Sequence, residues 1–377
     1  MATSDAIPIQ LSLCFAALAL LAWLGQTVRI KRQQSAFIKA HGCKPATSTS
    51  IRSPIFYGLD FMLENAYNIM THKFALGVRQ RFQKYGVTHT SRILHRKIVN
   101  TIDPRNLETV MKTNFEDYTI IPGRKKLIQV LFGNGVFSSE YDDWRHSRVL
   151  VRASVLRFAF DVNKFEKHTR LMLDEMRSHN GEPLDFGQLI FGYTFRLSAD
   201  VLLDQPVGTA EERDLHEQFI QDFTFLGRMA RVLTIMISQI PFLAELAYGV
   251  NFKRAQRRVF SQVDQRIEDT MRSRRSDELK APGSATKNGS SLIDGFLSRS
   301  HDTARIRGEL LNLLLAGHDT VGIALSELFY CLARSPCSWA ALRKEVDQTL
   351  QGRLPSQADL KGMTYLQWTI KEGKVSW

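Results

Sequence analysis

Apolar positions along the chain follow three patterns. The first is a continuous run from Ile7 to Val28, IPIQLSLCFAALALLAWLGQTV, about the 20 residues a helix needs to cross a bilayer. Arg29, Lys31 and Arg32 follow it directly, and only Asp5 precedes it. A cleaved signal would carry positive charge before the run. Charge placed after it predicts a signal anchor with the remaining chain in the cytoplasm, and a cleaved signal stands as the alternative. The second pattern is an alternation over Val87 to Ile102 that predicts a pair of strands, with Asp103-Pro104 opening a helix. The third, helical spacing, dominates. It predicts helices within Ile55 to Lys84, over Leu184 to Asp204, through Arg213 to Arg275 with a break at Pro241, and from Ser335-Pro336 to Leu350, ended by Gly352. Polar His41 to Pro54 reads as a spacer, and the charged Gly/Pro/Ser-rich stretch ending at Ser291 as a mobile loop. The expected organisation is an anchor over 1–30, a linker over 31–54, and a mainly α domain with a small β-region over 55–377, the mobile loop occupying 273–291 of it.

The most informative helical stretch is Arg307 to Ser335, RGELLNLLLAGHDTVGIALSELFYCLARS. Leu310, Leu313, Leu314, Gly317, Val321, Ala324, Leu325 and Leu328 recur at helical spacing and predict a buried face. Gly317 and Gly322 each cost about 1 kcal/mol relative to alanine inside a helix. Between them, Asp319 and Thr320 interrupt the apolar run, where burial without partners is costly. Spacing alone leaves two readings open: one long helix with a functional distortion, or two helices meeting where Gly317 closes the first and Asp319 caps the second.

Composition narrows the function classes. With 377 residues, 44% of them hydrophobic, and 23 Phe against 9 Tyr, the chain suits a large apolar core or apolar ligand cavity. A net charge of +12 fits a membrane surface or an acidic protein partner. Zinc-finger spacing, RNA-binding aromatics and a basic zipper are all lacking, so no nucleic-acid partner is expected. Cys14, Cys43, Cys331 and Cys337 form neither a disulfide framework nor a CxxC pair.

A second stretch, Leu131 to Arg148 (LFGNGVFSSEYDDWRHSR), runs from a glycine loop into a helix. Trp144 and Arg148, four residues apart, share a face there, an indole N–H and a guanidinium suited to holding carboxylates. A packed tryptophan beside a solvated arginine explains the same spacing.

Ala316-Gly317-His318-Asp319-Thr320 resembles the Ala/Gly-Gly-x-Asp/Glu-Thr signature of the cytochrome P450 superfamily, haem-thiolate monooxygenases, and Trp144-x-x-x-Arg148 resembles its propionate-binding WxxxR pattern. Phe137-Ser138-Ser139 and Trp144 to Arg148 are similar to the fungal subfamily that oxidises n-alkanes and fatty acids. Arg152 fits that subfamily, but Ala153 and Val155 stand where Pro and Phe are usual. Asp359 to Trp368 resembles the lead-in to the family's Glu-x-x-Arg helix; Glu372 takes the glutamate position and Val375 the arginine position. No Phe-x-x-Gly-x-Arg-x-Cys-x-Gly loop follows, so no metal ligand is assigned. The resemblance thus covers most of 55 to 372 and implies a C-terminally truncated fold without its haem-ligand segment.

The resemblance implies haem as cofactor, not stably held by this chain, and O₂-dependent hydroxylation of long aliphatic substrates with electrons from an NADPH-dependent reductase. Asp319 and Thr320 would deliver protons, Trp144 and Arg148 would hold a propionate, and Ala316 and Gly317 would open a groove for dioxygen. The setting implied is the endoplasmic reticulum membrane, single-pass, with the catalytic part cytoplasmic. The competing expectation is an inactive, membrane-anchored helical fragment.

Overall fold

The computed structural model describes residues 25–43, 46–49, 58–71, 73–93, 96–120, 122–157, 162–204, 210–239, 249–280 and 291–375. It divides into two compact units, residues 1–117 and 118–377.

In the first unit, helix α1 spans residues 25–40. Among the described residues no helix is long and apolar enough to cross a membrane. The expected anchor over 1–30 lies outside them, except for residues 25–30 at the start of α1. Strand β1 (Thr47–Ser48) falls inside the stretch expected as linker and pairs parallel to β2 (Thr88–Ile93). β2 pairs antiparallel with β3 (Arg96–Thr101), from Thr88 opposite Thr101 to Ile93 opposite Arg96, as the alternating pattern predicts. Helices α2 (Leu59–Met70) and α3 (Phe74–Tyr85) flank this sheet. Gly58 begins α2 at φ 83, and a Cβ there would sit 2.0 Å from the Arg92 carbonyl oxygen. Only glycine allows that turn so close to the strand. Asp103 caps α4 (Pro104–Glu108) by accepting from the Arg105 N–H at 2.9 Å, with Pro104 in the first turn.

The second unit contains α5 (Pro122–Phe132), α6 (Tyr141–Arg157), α7 (Val162–Ser178), α8 (Phe186–Leu203), α9 (Ala210–Gln239), α10 (Val250–Lys280), α11 (Leu292–Leu297), α12 (Thr303–Ala333), α13 (Pro336–Leu350), α14 (Gln357–Gly362) and α15 (Thr364–Val375). α10 runs to Lys280, well into the segment expected as a mobile loop; 281–290 and Pro241 lie outside the described residues. Leu131, Phe132, Phe195, Phe219, Phe223, Leu226, Val263, Ile267, Phe296, Leu310 and Leu314 form one core cluster. Each such side chain contributes about 1.5–3 kcal/mol by leaving water.

α12 is continuous over 31 residues, about 46 Å at 1.5 Å per residue. The two-helix reading is thereby excluded: the N-cap is Asp302, which accepts from the Arg305 N–H at 2.9 Å, and Asp319 lies mid-helix. The glycines have a packing reason. A Cβ on Gly322 would lie 3.1 Å from the Phe191 ring, and one on Gly317 3.3 Å from Ser198 Oγ, both residues of α8. Small residues let the two helix backbones approach closely. The predicted apolar face is corrected at its C-terminal half, where Val321 is 46% exposed and Ala324 is exposed, while Leu310 and Leu314 are buried. Near the C-terminus, Glu345 of α13 accepts from the Tyr365 and Leu366 N–H groups, each at 2.8 Å, and so caps α15 from another helix.

Candidate functional site

The turn of α12 from Ala316 to Thr320 carries a hydroxyl bonded back to its own helix. Thr320 is exposed, and its Oγ1 donates to the Ala316 carbonyl oxygen at 2.5 Å. That bond adds a second donor to a carbonyl of the helix ladder and leaves the hydroxyl oxygen able to accept. The Asp319 carboxylate lies 3.5 Å from His318 Nε2. His318 points the other way, into the protein, with Nδ1 3.5 Å from Thr194 Oγ1 and its ring edge-on to Phe195 and Phe191, centroids 4.9 and 5.6 Å away. Spacing arguments missed this histidine; its place one residue before the polar pair, on the helix face opposite Thr320, was the available signal.

On α6, Trp144 is partly buried and Arg148 is exposed, and the guanidinium carbon sits 5.3 Å from the indole centroid. The pair therefore meets, as the four-residue spacing predicts, in a cation–π contact. Among the described residues no carboxylate pairs with Arg148, whereas Arg305, Arg258, Arg307 and Arg353 each hold one. An exposed guanidinium that keeps its fork open can take an external carboxylate.

The loop before α6 rests on α12. Gly308 and Asn134 approach so closely that a Cβ on Gly308 would lie 1.9 Å from the Asn134 carbonyl oxygen, and Gly133 takes φ +80. Glu309, fully buried, accepts from the Val136 N–H at 3.0 Å; Asn312 Oδ1 accepts from the Phe137 N–H at 3.2 Å. Arg305 lies beside Glu309 and reaches α6. Tyr141 enters α6 at φ 50, a conformation uncommon for a side-chain-bearing residue. Sequence reading passed over Arg305, Glu309 and Asn312. Their signal was three polar residues at helical spacing in an apolar helix.

Asp143, near the start of α6, shows what this contact does electrostatically. Burial pushes its carboxyl upward, but hydrogen bonds from Arg305 and Ser139 outweigh that and hold it below the usual carboxylate range. On the far side of α8, Asp200 is likewise lowered: burial opposes, and the hydrogen bonds from His168 and Lys164 prevail.

Within the second unit, neither Cys331 nor Cys337 supplies a ligand sulfur at the Ala316 to Thr320 turn. Cys331 lies eleven residues further along α12, about 16 Å of helix rise from Thr320. It lines a cavity of about 390 Å³ with Leu328, Tyr365, Trp368 and Glu372. Cys337 is exposed on α13. Among the described residues no cluster of three or more His, Cys, Asp or Glu could hold a metal ion.

The sequence model of the family "Cytochrome P450" matches residues 61–373. The chain belongs to the cytochrome P450 family. It is 29% identical over 342 residues to cytochrome P450 monooxygenase himC of Aspergillus japonicus, covering 88% of this chain and 59% of that protein. It is 28% identical over 355 residues to cytochrome P450 monooxygenase fsdH of Fusarium heterosporum, with 89% and 60% covered. It is 27% identical over 299 residues to cytochrome P450 52A1 of Candida tropicalis, with 74% and 53% covered. The chain thus spans about three-fifths of the length of the first two relatives. Family membership implies haem as the cofactor.

Proposed function

We propose that the protein is a haem-dependent monooxygenase that hydroxylates long aliphatic chains, n-alkanes or fatty acids, with O₂ and electrons from an NADPH-dependent reductase. The observation that carries this reading is the pair of features on α6 and α12. One is an arginine lying over a tryptophan ring with no carboxylate partner among the described residues; the other is an exposed threonine hydroxyl next to an aspartate on a helix turn that opens with Ala316 and Gly317. The first fits a haem propionate and the second fits an oxygen-handling turn. Haem, when bound, supplies the binding and activation of dioxygen.

The chain's own residues then have separate tasks. Arg148 would donate to a propionate oxygen, with Trp144 holding the guanidinium plane. Ala316 would leave room beside the turn, since its side chain is only a methyl, while Gly317 lets Ser198 of α8 approach. The Thr320 hydroxyl, held as donor to Ala316 O, would accept a hydrogen bond from a water at its free lone pair and so hold that water at the turn. Asp319 would pass protons to that water, a general-acid role that contributes typically about 10²–10⁴-fold. The aliphatic substrate is supported by the likeness of Phe137-Ser138-Ser139 and Trp144 to Arg148 to the fungal alkane- and fatty-acid-oxidising subfamily, and by the phenylalanine-rich interior. The basic balance of the chain suits an acidic reductase face and a lipid surface.

The test is incubation of the haem-reconstituted protein with reductase, NADPH, ¹⁸O₂ and either dodecane or lauric acid. One ¹⁸O atom in a hydroxylated product is expected. Haem-bound, reducible protein that yields no labelled product from either substrate would overturn the reading.

A further inference from the structure

Two helices carry the features on which the proposed function rests, and α6 packs principally on α11 rather than along α12. Something else must fix the Trp144–Arg148 face relative to the Ala316–Thr320 turn. Arg305 is the side chain that reaches across. Its Nη1 donates to Asp143 Oδ1 at 2.7 Å, and its Nη2 donates to the Asp143 carbonyl oxygen at 2.9 Å, to Ser139 Oγ at 3.4 Å and to Ser147 Oγ. Its Nε donates to Glu309 Oε1 at 3.1 Å. All three guanidinium nitrogens are used, and the side chain is only 12% exposed.

The spacing of these contacts gives them a meaning. Asp143 and Ser147 are four residues apart, on one stripe of α6, and each immediately precedes a residue of the Trp144–Arg148 pair. A helix turns about 100° per residue. Gripping the 143/147 stripe therefore fixes both the height and the rotation at which the 144/148 stripe is presented. A planar guanidinium does this where an ammonium would not, because its donors have fixed directions. Glu309 locks the device from the other end. It is fully buried, one oxygen taking Arg305 Nε and the other the Val136 N–H of the loop leading into α6.

We infer that Arg305, braced by Glu309, is a positioning residue that sets the rotation and height of α6 against α12, and through it the placement of the Trp144–Arg148 pair. This inference rests on the proposed function for its purpose, but its geometry is measured without haem.

The test is a pair of nitroxide labels in a chain whose four cysteines are serine, one at the exposed Val149 on α6 and one at the exposed Ile323 on α12. Pulsed dipolar spectroscopy reads the distance distribution between them. The parent is expected to give a single narrow distribution. Arg305→Met is expected to broaden or shift it, and Arg305→Lys, which keeps the charge but not the fork, is expected to restore it only in part. Glu345→Gln, a cap lost elsewhere in the same unit, is expected to lower the melting temperature and leave the distance unchanged, which separates positioning from general stability. If Arg305→Met does not fold, the double variant Asp143→Asn, Ser147→Ala removes the grip from the α6 side and must broaden the distribution instead. A parental distribution in a folded Arg305→Met chain, or in the double variant, overturns the inference. A broadened distribution alongside haem binding that ignores Arg148 would leave this inference standing and sink the proposed function.

Discussion

His216 offers a quantitative check on how the second unit is held together. The residue lies on α9, 2% exposed, with its ring 6.5 Å from that of Phe195 of α8. Burial is the largest cause lowering its pKa, from 6.5 to about 4. The charges of His168 and Arg196 push the same way, and Asp200 opposes them. Above about pH 6.5 the ring is neutral in both folded and unfolded chains, and pH has no leverage through it. Between 6.5 and about 4 the unfolded chain takes up a proton that the folded one refuses, so stability falls as pH falls. The whole shift corresponds to roughly 3 kcal/mol, and the part crossed between about pH 7 and pH 5 to about 2 kcal/mol. Depressed carboxylates such as Asp200 and Asp143 act lower, near their unfolded range of about 4. Urea unfolding followed by circular dichroism at the two pH values reads the difference. The His216→Gln chain should lose about 2 kcal/mol less than the parent over that interval. Equal losses in the two chains would refute the assignment of the slope to His216.

Three further outcomes follow from the geometry. Gly308→Ala drives a Cβ into the Asn134 carbonyl and should lower stability by about 1–3 kcal/mol or more, whereas Gly227→Ala on α9, with nothing within 4 Å, should raise it by about 0.5–1 kcal/mol; thermal melting compares them. Glu345→Ala removes the acceptor for two N–H groups at the start of α15 and should cost about 1–2 kcal/mol, with faster amide exchange at Tyr365 and Leu366. In turnover with reductase, Thr320→Val should raise peroxide formed per electron consumed, and Asp319→Asn should slow product formation; parental rate and coupling in both would reduce the pair to helix decoration.

Much of the fold was legible because its elements carry strong local signals. The β2–β3 hairpin follows from alternation, α8 from its apolar length, and α4 from Asp103-Pro104, which opens the helix as expected. The central helix was legible as an element, but not its contacts. Gly317 and Gly322 signal a break by propensity, and only the approach of α8 shows them to be packing residues in an unbroken helix. The apolar spacing also predicted burial for Val321, which the structure leaves 46% exposed, because periodicity identifies a stripe and not what covers it. At the candidate site, the Trp144–Arg148 contact was readable from four-residue spacing. The Arg305–Glu309 grip was not, since its partners lie more than 150 positions away in sequence.

The central claim is that the α6 pair addresses a haem propionate. Titration of the chain with haemin, followed by Soret absorbance, tests it without requiring turnover. Arg148→Ala should weaken binding about tenfold or more, the loss of one charge-assisted hydrogen bond of about 1.5–3 kcal/mol. Arg145→Ala, which removes an arginine paired with Asp142, should leave it unchanged, and haemin dimethyl ester should bind the parent and Arg148→Ala chains equally. Equal haemin affinity in the parent and Arg148→Ala chains would contradict the account.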